Sequence, residues 1–386
     1  MKIAITLPAY YNFPIGGYHV HYQYANLLSR KGHDVTLVFP RTLSAPNNLE
    51  TRLKTGLWAI KLRTRNRPLI KTFPIDRAVK VVLASNLGAE ALPNADILIA
   101  TAWQTAEALE GAPPRCGRKF YIVYDYEHLM TARETVRARI ERTYRGSFEI
   151  IATSKIVEET VRSCGGESTA LIQCGLDFST FGMDRPPEER SPMQIAFPLR
   201  PEQFKGASDA IAASSLLRER FGENLQISAF GSHGMTIPTW IHWCKSPSRL
   251  ELRAFYNLQA IFMVPSHFEG WGLPGIEAMA CGAALATTDN GGCRDYAIDG
   301  ETSIVVEPGK PEKMADAVTA LITDPSLRLR LSTTGQRFVQ RFSWDDAADR
   351  LEAVLFGHRE SQMVPQAGAN WPGQNAAGHF GIGQEG

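Results

Sequence analysis

"KIAITLPAYYNFPIGGYHVHYQYANLLSRKGHDVTLVF", Lys2 to Phe39, decides the fold class. It opens on a short β-branched run, KIAITL (Lys2–Leu7), and crosses a turn that holds Gly16 and Gly17. Val20, Tyr24, Leu27 and Leu28 then recur at helical spacing until Gly32 stops the helix. DVTLVF (Asp34–Phe39) follows as a second strand. Strand, glycine turn, helix and strand make a βαβ unit, which predicts parallel pairing.

Working outward, buried-type strands are predicted at DILIA (Asp96–Ala100), KFYIVY (Lys119–Tyr124) and EIIATS (Glu149–Ser154). Continuous apolar runs between helices imply a parallel sheet covered on both faces. STFGMDRPPEERSPM (Ser179–Met193) breaks the rhythm with proline and charge and reads as a linker. A second series then runs through MQIAFP (Met193–Pro198), LQISAFG (Leu225–Gly231), AIFMVPS (Ala260–Ser266), AALATT (Ala283–Thr288) and SIVVEP (Ser303–Pro308). The expected fold class is α/β, two Rossmann-like doubly wound parallel-sheet domains facing each other across a cleft. The expected bounds are 1–178 for the first domain, 179–192 for the linker, 193–342 for the second domain and 343–357 for a helix N-capped by Ser343. Residues 358–386, rich in Gly, Gln and Asn, read as a disordered tail.

The bulk composition excludes several classes. A chain of 386 residues with 44% hydrophobic and 21% charged residues is ordinary globular protein. A formal net charge of +1 argues against nucleic acid as a partner. The six cysteines form no CxxC pair, so neither a zinc site nor a disulfide framework is expected. Pro8 interrupts the N-terminal apolar run, so no secretory leader is expected, and no apolar run reaches the ~20 residues a membrane span needs. The expected location is cytoplasmic.

The chemistry concentrates in FEGWGLPGIEAMACG (Phe268–Gly282). The strand ending at Ser266 delivers this loop to a carboxyl end, over the expected cleft. Pro274 suits the first helical position, and the backbone N–H groups of Gly272 and Leu273 form a phosphate cradle at the helix start. Gly270 and Gly272 allow close approach of a ligand. Glu269 and Glu277 flank this cradle, where carboxylates would repel phosphate but accept hydrogen bonds from vicinal diols. Phosphate between two diols describes a nucleotide sugar. Taken singly, Glu277 reads as a helix-terminal acid and Glu269 as a solvated loop acid. FPLRPEQFKGASDAI (Phe197–Ile211) adds Arg200 and Lys205 just past another strand, as grips for a diphosphate.

These motifs resemble the retaining GT-B glycosyltransferases of family four, also called group 1 glycosyl transferases. EGWGLPGIEAMACG is similar to that family's E-x7-E motif and RPEQFKG to its R-x4-KG phosphate clamp. GGCRDYAIDGETSIVVEPG (Gly291–Gly309) resembles its G-G-x-x-E stretch, with Asp295 where Glu is usual and Thr302-Ser303 where a second Gly is frequent. The resemblance implies a GT-B fold in which the first domain binds the acceptor and the last helix crosses back to it. It implies that Glu277 holds the nucleotide ribose, Glu269 contacts the donor sugar, and Arg200 and Lys205 neutralise the diphosphate. The main chain near Trp243–Lys245 would meet the base, Gly16 and Gly17 the donor phosphate, and His128 of YDYEHLM (Tyr124–Met130) the donor sugar. Asp125 and Glu127 resemble a D-x-D pair, but enzymes of this type need no such metal, so neither metal nor cofactor is expected.

The implied partners are a nucleotide sugar donor and a carbohydrate, lipid-linked or small-molecule acceptor. TRLKTGLWAIKLRTRNRPLIKTF (Thr51–Phe73) carries seven cations and no acid, with Leu57, Trp58 and Ile60 among them. It reads either as a basic surface loop or as peripheral contact with the inner face of an anionic membrane. A nucleotide-sugar epimerase of the same architecture and a non-catalytic scaffold are the alternative functions.

Overall fold

The computed structural model describes residues 1–11, 16–43, 49–65, 69–125, 133–231 and 237–357, and of 63–65 the backbone course only. The first half runs β1 (Lys2–Thr6), α1 (Gly16–Arg30), β2 (Asp34–Pro40), α2 (Leu49–Arg65), β3 (Lys80–Ala84), β4 (Ile97–Ala100), α3 (Trp103–Leu109), β5 (Arg118–Val123), α4 (Glu134–Tyr144), β6 (Glu149–Ala152), α5 (Lys155–Ser163) and β7 (Ser168–Leu171). The second half runs β8 (Gln194–Pro198), α6 (Ala207–Phe221), β9 (Gln226–Gly231), β10 (Ile241–Lys245), α7 (Arg249–Leu258), β11 (Ile261–Val264), α8 (Leu273–Ala280), β12 (Ala284–Thr288), β13 (Ser303–Val306), α9 (Pro311–Thr323), α10 (Pro325–Val339) and α11 (Trp344–Leu355).

Each half builds one parallel sheet among the described residues. The strand orders are β3-β2-β1-β4-β5-β6-β7 and β10-β9-β8-β11-β12-β13. The order reverses between β1 and β4 in the first sheet and between β8 and β11 in the second. At such a switch point the flanking connections leave to opposite faces, and a crevice opens beyond the strand carboxyl ends.

Central strands carry the apolar runs: β4 is fully buried along its length, as are β11 and β12. Local chemistry starts the helices. Ser154 accepts from Val157 N at α5, and Ser248 and Glu251 form a capping box at α7. One hydrophobic cluster runs through both halves, joining Ile5 and Leu28 to Leu176, Tyr256, Trp271 and Phe342.

Residues 179–192 are irregular apart from a 3-10 turn at Pro187–Glu189, but the segment is pinned. Phe181 and Arg190 are buried. The Arg190 guanidinium donates to the carbonyls of Gln259 (2.9 Å) and Cys281. A charged side chain inside a Pro-rich stretch is here an anchor, its donors directed at main-chain carbonyls and at Asn257 Oδ1.

The last helix, α11, packs on the first half. Tyr24 and Trp344 meet edge to face at 5.2 Å. Glu352 accepts from Lys31 and pairs with His33, both at 2.8 Å. Arg118 Nη1 donates to the carbonyl of Leu355 at 2.8 Å.

Candidate functional site

The second switch point sets two chain segments side by side. Past β8 come Leu199 and Arg200, a short 3-10 turn ending at Lys205, and Gly206 at φ +65°. A Cβ at Gly206 would lie 2.1 Å from the Pro265 carbonyl oxygen, so glycine alone lets this turn press against the end of β11. Past β11 comes the loop that carries Glu269, tied down by His267 N donating to Phe204 O (2.7 Å) and Glu269 N donating to Asn290 O (3.0 Å). Gly291 and Gly292 lie beneath it, and Gly292 N donates to Glu269 O at 2.9 Å.

This packing fixes the Glu269 side chain. Oε2 accepts from Lys205 Nζ at 2.9 Å and Oε1 from Ser266 Oγ at 2.7 Å. Burial opposes the Lys205 charge, but Glu269, with Asp125 adding to it, offsets that and holds the ammonium above its usual range. The second carboxylate, Glu277, sits one turn into α8. Tyr256 OH donates to its Oε2 at 2.9 Å. Burial pushes the Glu277 carboxyl up to about 7, against the Tyr256 hydrogen bond and the charges of Arg249 and Arg200, which pull it down. The polar residues therefore form two couples: Lys205 with Glu269, and Arg200 and Arg249 around Glu277.

The helix start lies between the couples. Gly272 holds φ +87°, and Tyr296 OH donates to its carbonyl at 2.8 Å. Helix α8 begins at Leu273, one residue earlier than the sequence predicts, so Pro274 is its second residue. The missing proline N–H still falls among the first-turn donors that have no intrahelical partner. Across the cleft, a Cβ at Gly16 would rest 3.7 Å from Leu273, and one at Gly17 would meet the Tyr124 ring at 3.3 Å. Both glycines belong to the first turn of α1 rather than to the loop before it. At Gly270 a Cβ would lie 2.0 Å from the Tyr124 carbonyl oxygen. The carboxyl ends of the two sheets thus meet at Tyr124, whose hydroxyl is pushed well up chiefly by burial, with Asp125, Glu269 and Glu277 adding to it.

Trp243 and Lys245 lie on β10, the edge strand, an element the sequence reading did not assign. The Trp243 ring packs at Gly231, and Ser246 just beyond adopts φ 49° with its N–H donating to Gly231 O at 2.7 Å. Arg200 lies over the Phe230 ring at 5.7 Å. His128 and Glu127 lie outside the described residues.

Several site residues escaped the sequence reading. Ser266 and Tyr256 hold the two glutamates, and no spacing rule points to either. Arg249 donates to Asp177 Oδ2 at 2.8 Å and stacks on Phe181 at 5.1 Å. It lines a cavity of about 50 Å³ with His19, Phe73, Asp177, Leu273 and Glu277. His19 is driven down to about 4, by burial first and then by Arg249, so it is neutral near pH 7. Asp295 reaches across the domains: its carboxylate accepts from Lys155 N at the start of α5 and from Gln173 Nε2, both at 3.0 Å.

Residues 205–338 match the family model described as "Glycosyl transferases group 1". The O-antigen biosynthesis protein RfbC of Myxococcus xanthus is 27% identical over 354 residues, which cover 87% of this chain and 25% of that protein. Across the curated relatives compared, the chain spans between 24% and 57% of their length. Sucrose-phosphate synthase from Thermosynechococcus elongatus superposes with a TM-score of 0.70 at 16% identity, over 92% of this chain and 98% of that one. Anabaena HepE, solved in complex with UDP-glucose, gives 0.69 at 14% identity over 92% and 99%. The fold is GT-B, two Rossmann-like domains closing on one cleft.

Proposed function

We propose that this chain is a retaining glycosyltransferase of family four, which moves a sugar from a nucleotide-diphosphate sugar to a hydroxyl acceptor without a metal. The observation that carries this reading is the pair of charge couples flanking the start of α8, at the switch point of the second sheet. The first-turn N–H groups and the α8 dipole receive the diphosphate. Glu277 accepts from the ribose diol through Oε1, since Tyr256 occupies Oε2. Lys205 exchanges Glu269 for a phosphate oxygen, and Glu269 is released to the hydroxyls of the donor sugar.

The acceptor oxygen bonds to the anomeric carbon on the face from which the diphosphate departs. The bond from that carbon to the diphosphate oxygen breaks, its electron pair stays on the diphosphate, and a diphosphate oxygen takes the acceptor proton. Arg200, Lys205 and the helix-end N–H groups stabilise that departing charge, which is the main catalytic effect. Closure of the cleft excludes water as a competing acceptor. The acceptor is a carbohydrate, lipid-linked or small-molecule hydroxyl held by the first domain, in glycoconjugate synthesis.

Slow hydrolysis of the donor tests this without knowledge of the acceptor. The full chain, incubated with UDP-, GDP-, ADP- and dTDP-sugars in EDTA, is expected to release one nucleoside diphosphate. Proton NMR of the first sugar released should show the anomeric configuration of the donor. Release that requires an added divalent cation, or an inverted product, would contradict the mechanism.

A further inference from the structure

Helix α2 is built inside out. Its protein-facing side buries two hydroxyls, Thr51 and Thr55, each 7% exposed. Thr55 Oγ1 donates to the Thr51 carbonyl at 2.8 Å and accepts from Arg41 Nε at 3.3 Å. Its outward side presents Leu49, Leu53, Leu57 and Ile60, which are 60% to 72% exposed. At about 100° per residue these four fall within an arc of about 80°. A helix of a globular protein ordinarily does the reverse, with its apolar stripe on the core. Single exposed leucines need no explanation, but four on one face of one helix do.

The charges tell what covers that face. On the same helical projection Arg52 lies to one side of the leucine arc and Lys54 and Lys61 to the other. The acid on this helix, Glu50, is paired with Lys54. Lys71 and Arg77 follow in the next described segment. An apolar strip bordered by long cations suits an interface in which the leucines enter acyl chains and the ammonium and guanidinium groups reach the headgroups. Arg41, which ties α2 down, lies just past the end of β2, so the helix is anchored at the carboxyl end of the first sheet, the side on which Gly16 and Tyr124 also lie. No helix among the described residues is long and apolar enough to cross a membrane.

We propose that the outward face of α2 docks on an anionic lipid bilayer, which places the mouth of the cleft beside the membrane surface. This stands independently of the donor reading. Flotation of the full chain with vesicles of phosphatidylcholine alone, and of phosphatidylcholine with phosphatidylglycerol, tests it. The expected result is at least tenfold greater recovery with the anionic vesicles, weakened by high salt. Leu53→Asp with Leu57→Asp should reduce that recovery about tenfold with an unchanged melting midpoint, because both side chains are exposed. Lys54→Glu with Lys61→Glu should remove the preference for anionic lipid. Absence of flotation at low salt, or flotation indifferent to the leucine variant, would overturn the proposal. So would a concentration-dependent dimer in size exclusion that the leucine variant dissolves, since that assigns the face to a second copy.

Discussion

The two glutamates beside the start of α8 have different partners, Lys205 and Ser266 for Glu269 and Tyr256 for Glu277. Glu277 is raised to about 7 chiefly by burial, so the folded chain binds its proton more tightly than the unfolded chain does. The stability this gives is fully present below the unfolded carboxylate range and is lost as pH rises through about 7. A ribose diol donates to the ionised form, so nucleotide affinity is expected to rise between pH 6 and pH 8. Titration calorimetry at several pH values checks this, and Glu277→Gln should bind weakly with a flat profile. In the proposed mechanism Lys205 acts on the departing charge. Lys205→Met is expected to lower kcat by about 10²–10³-fold, the usual effect of removing one such stabiliser. A change confined to KM would assign Lys205 to binding alone. Both glutamates were legible as residues because acids beside a phosphate cradle need a reason. Their partners were not: Tyr256 reaches Glu277 through tertiary packing from α7, and Ser266 reaches Glu269 from three residues earlier because the loop between them folds back on itself.

At the scale of elements, the central strands were legible and most of the edges were not. β1, β2, β4, β5 and β6 announce themselves as apolar runs, as do β8, β9, β11, β12 and β13. β3, β7 and β10 passed unassigned, and each is an edge strand with residues left partly exposed. A strand paired on one side needs fewer apolar residues, so its sequence resembles a loop. The same limit hid the course of α2, where a basic stretch gave no hint that its threonines face inward. Glycines in the cleft are a sharper case. Gly270 reads in the sequence as room for a ligand, yet the close approach there is made by the protein itself, because a side chain would strike the Tyr124 carbonyl. Gly270→Ala is expected to destabilise the fold by about 1–3 kcal/mol, as overpacking does, in a denaturant titration. An unchanged midpoint would mean that the two strand ends do not meet as described.

Across the whole molecule, two sheets share one cluster of apolar residues and one cleft. The polar latch across that cleft is Asp295, with Lys155 N and Gln173 as its donors. Asp295→Ala leaves both donors without this partner. It is expected to lower stability by about 1–3 kcal/mol and to enlarge the radius of gyration in small-angle scattering. The paired domains were legible from the repeated strand-helix rhythm, whereas the latch depends on how they close and has no signal in either half alone. We propose that this cleft holds a nucleotide-diphosphate sugar through Glu277 and Lys205. A thermal-shift panel of UDP, GDP, ADP, dTDP and their sugars tests it most directly, since a ligand of the folded state raises the melting midpoint. A clear rise is expected with one nucleotide family, lost in Glu277→Gln. No shift with any nucleotide at millimolar concentration, or a shift that Glu277→Gln retains in full, would contradict it.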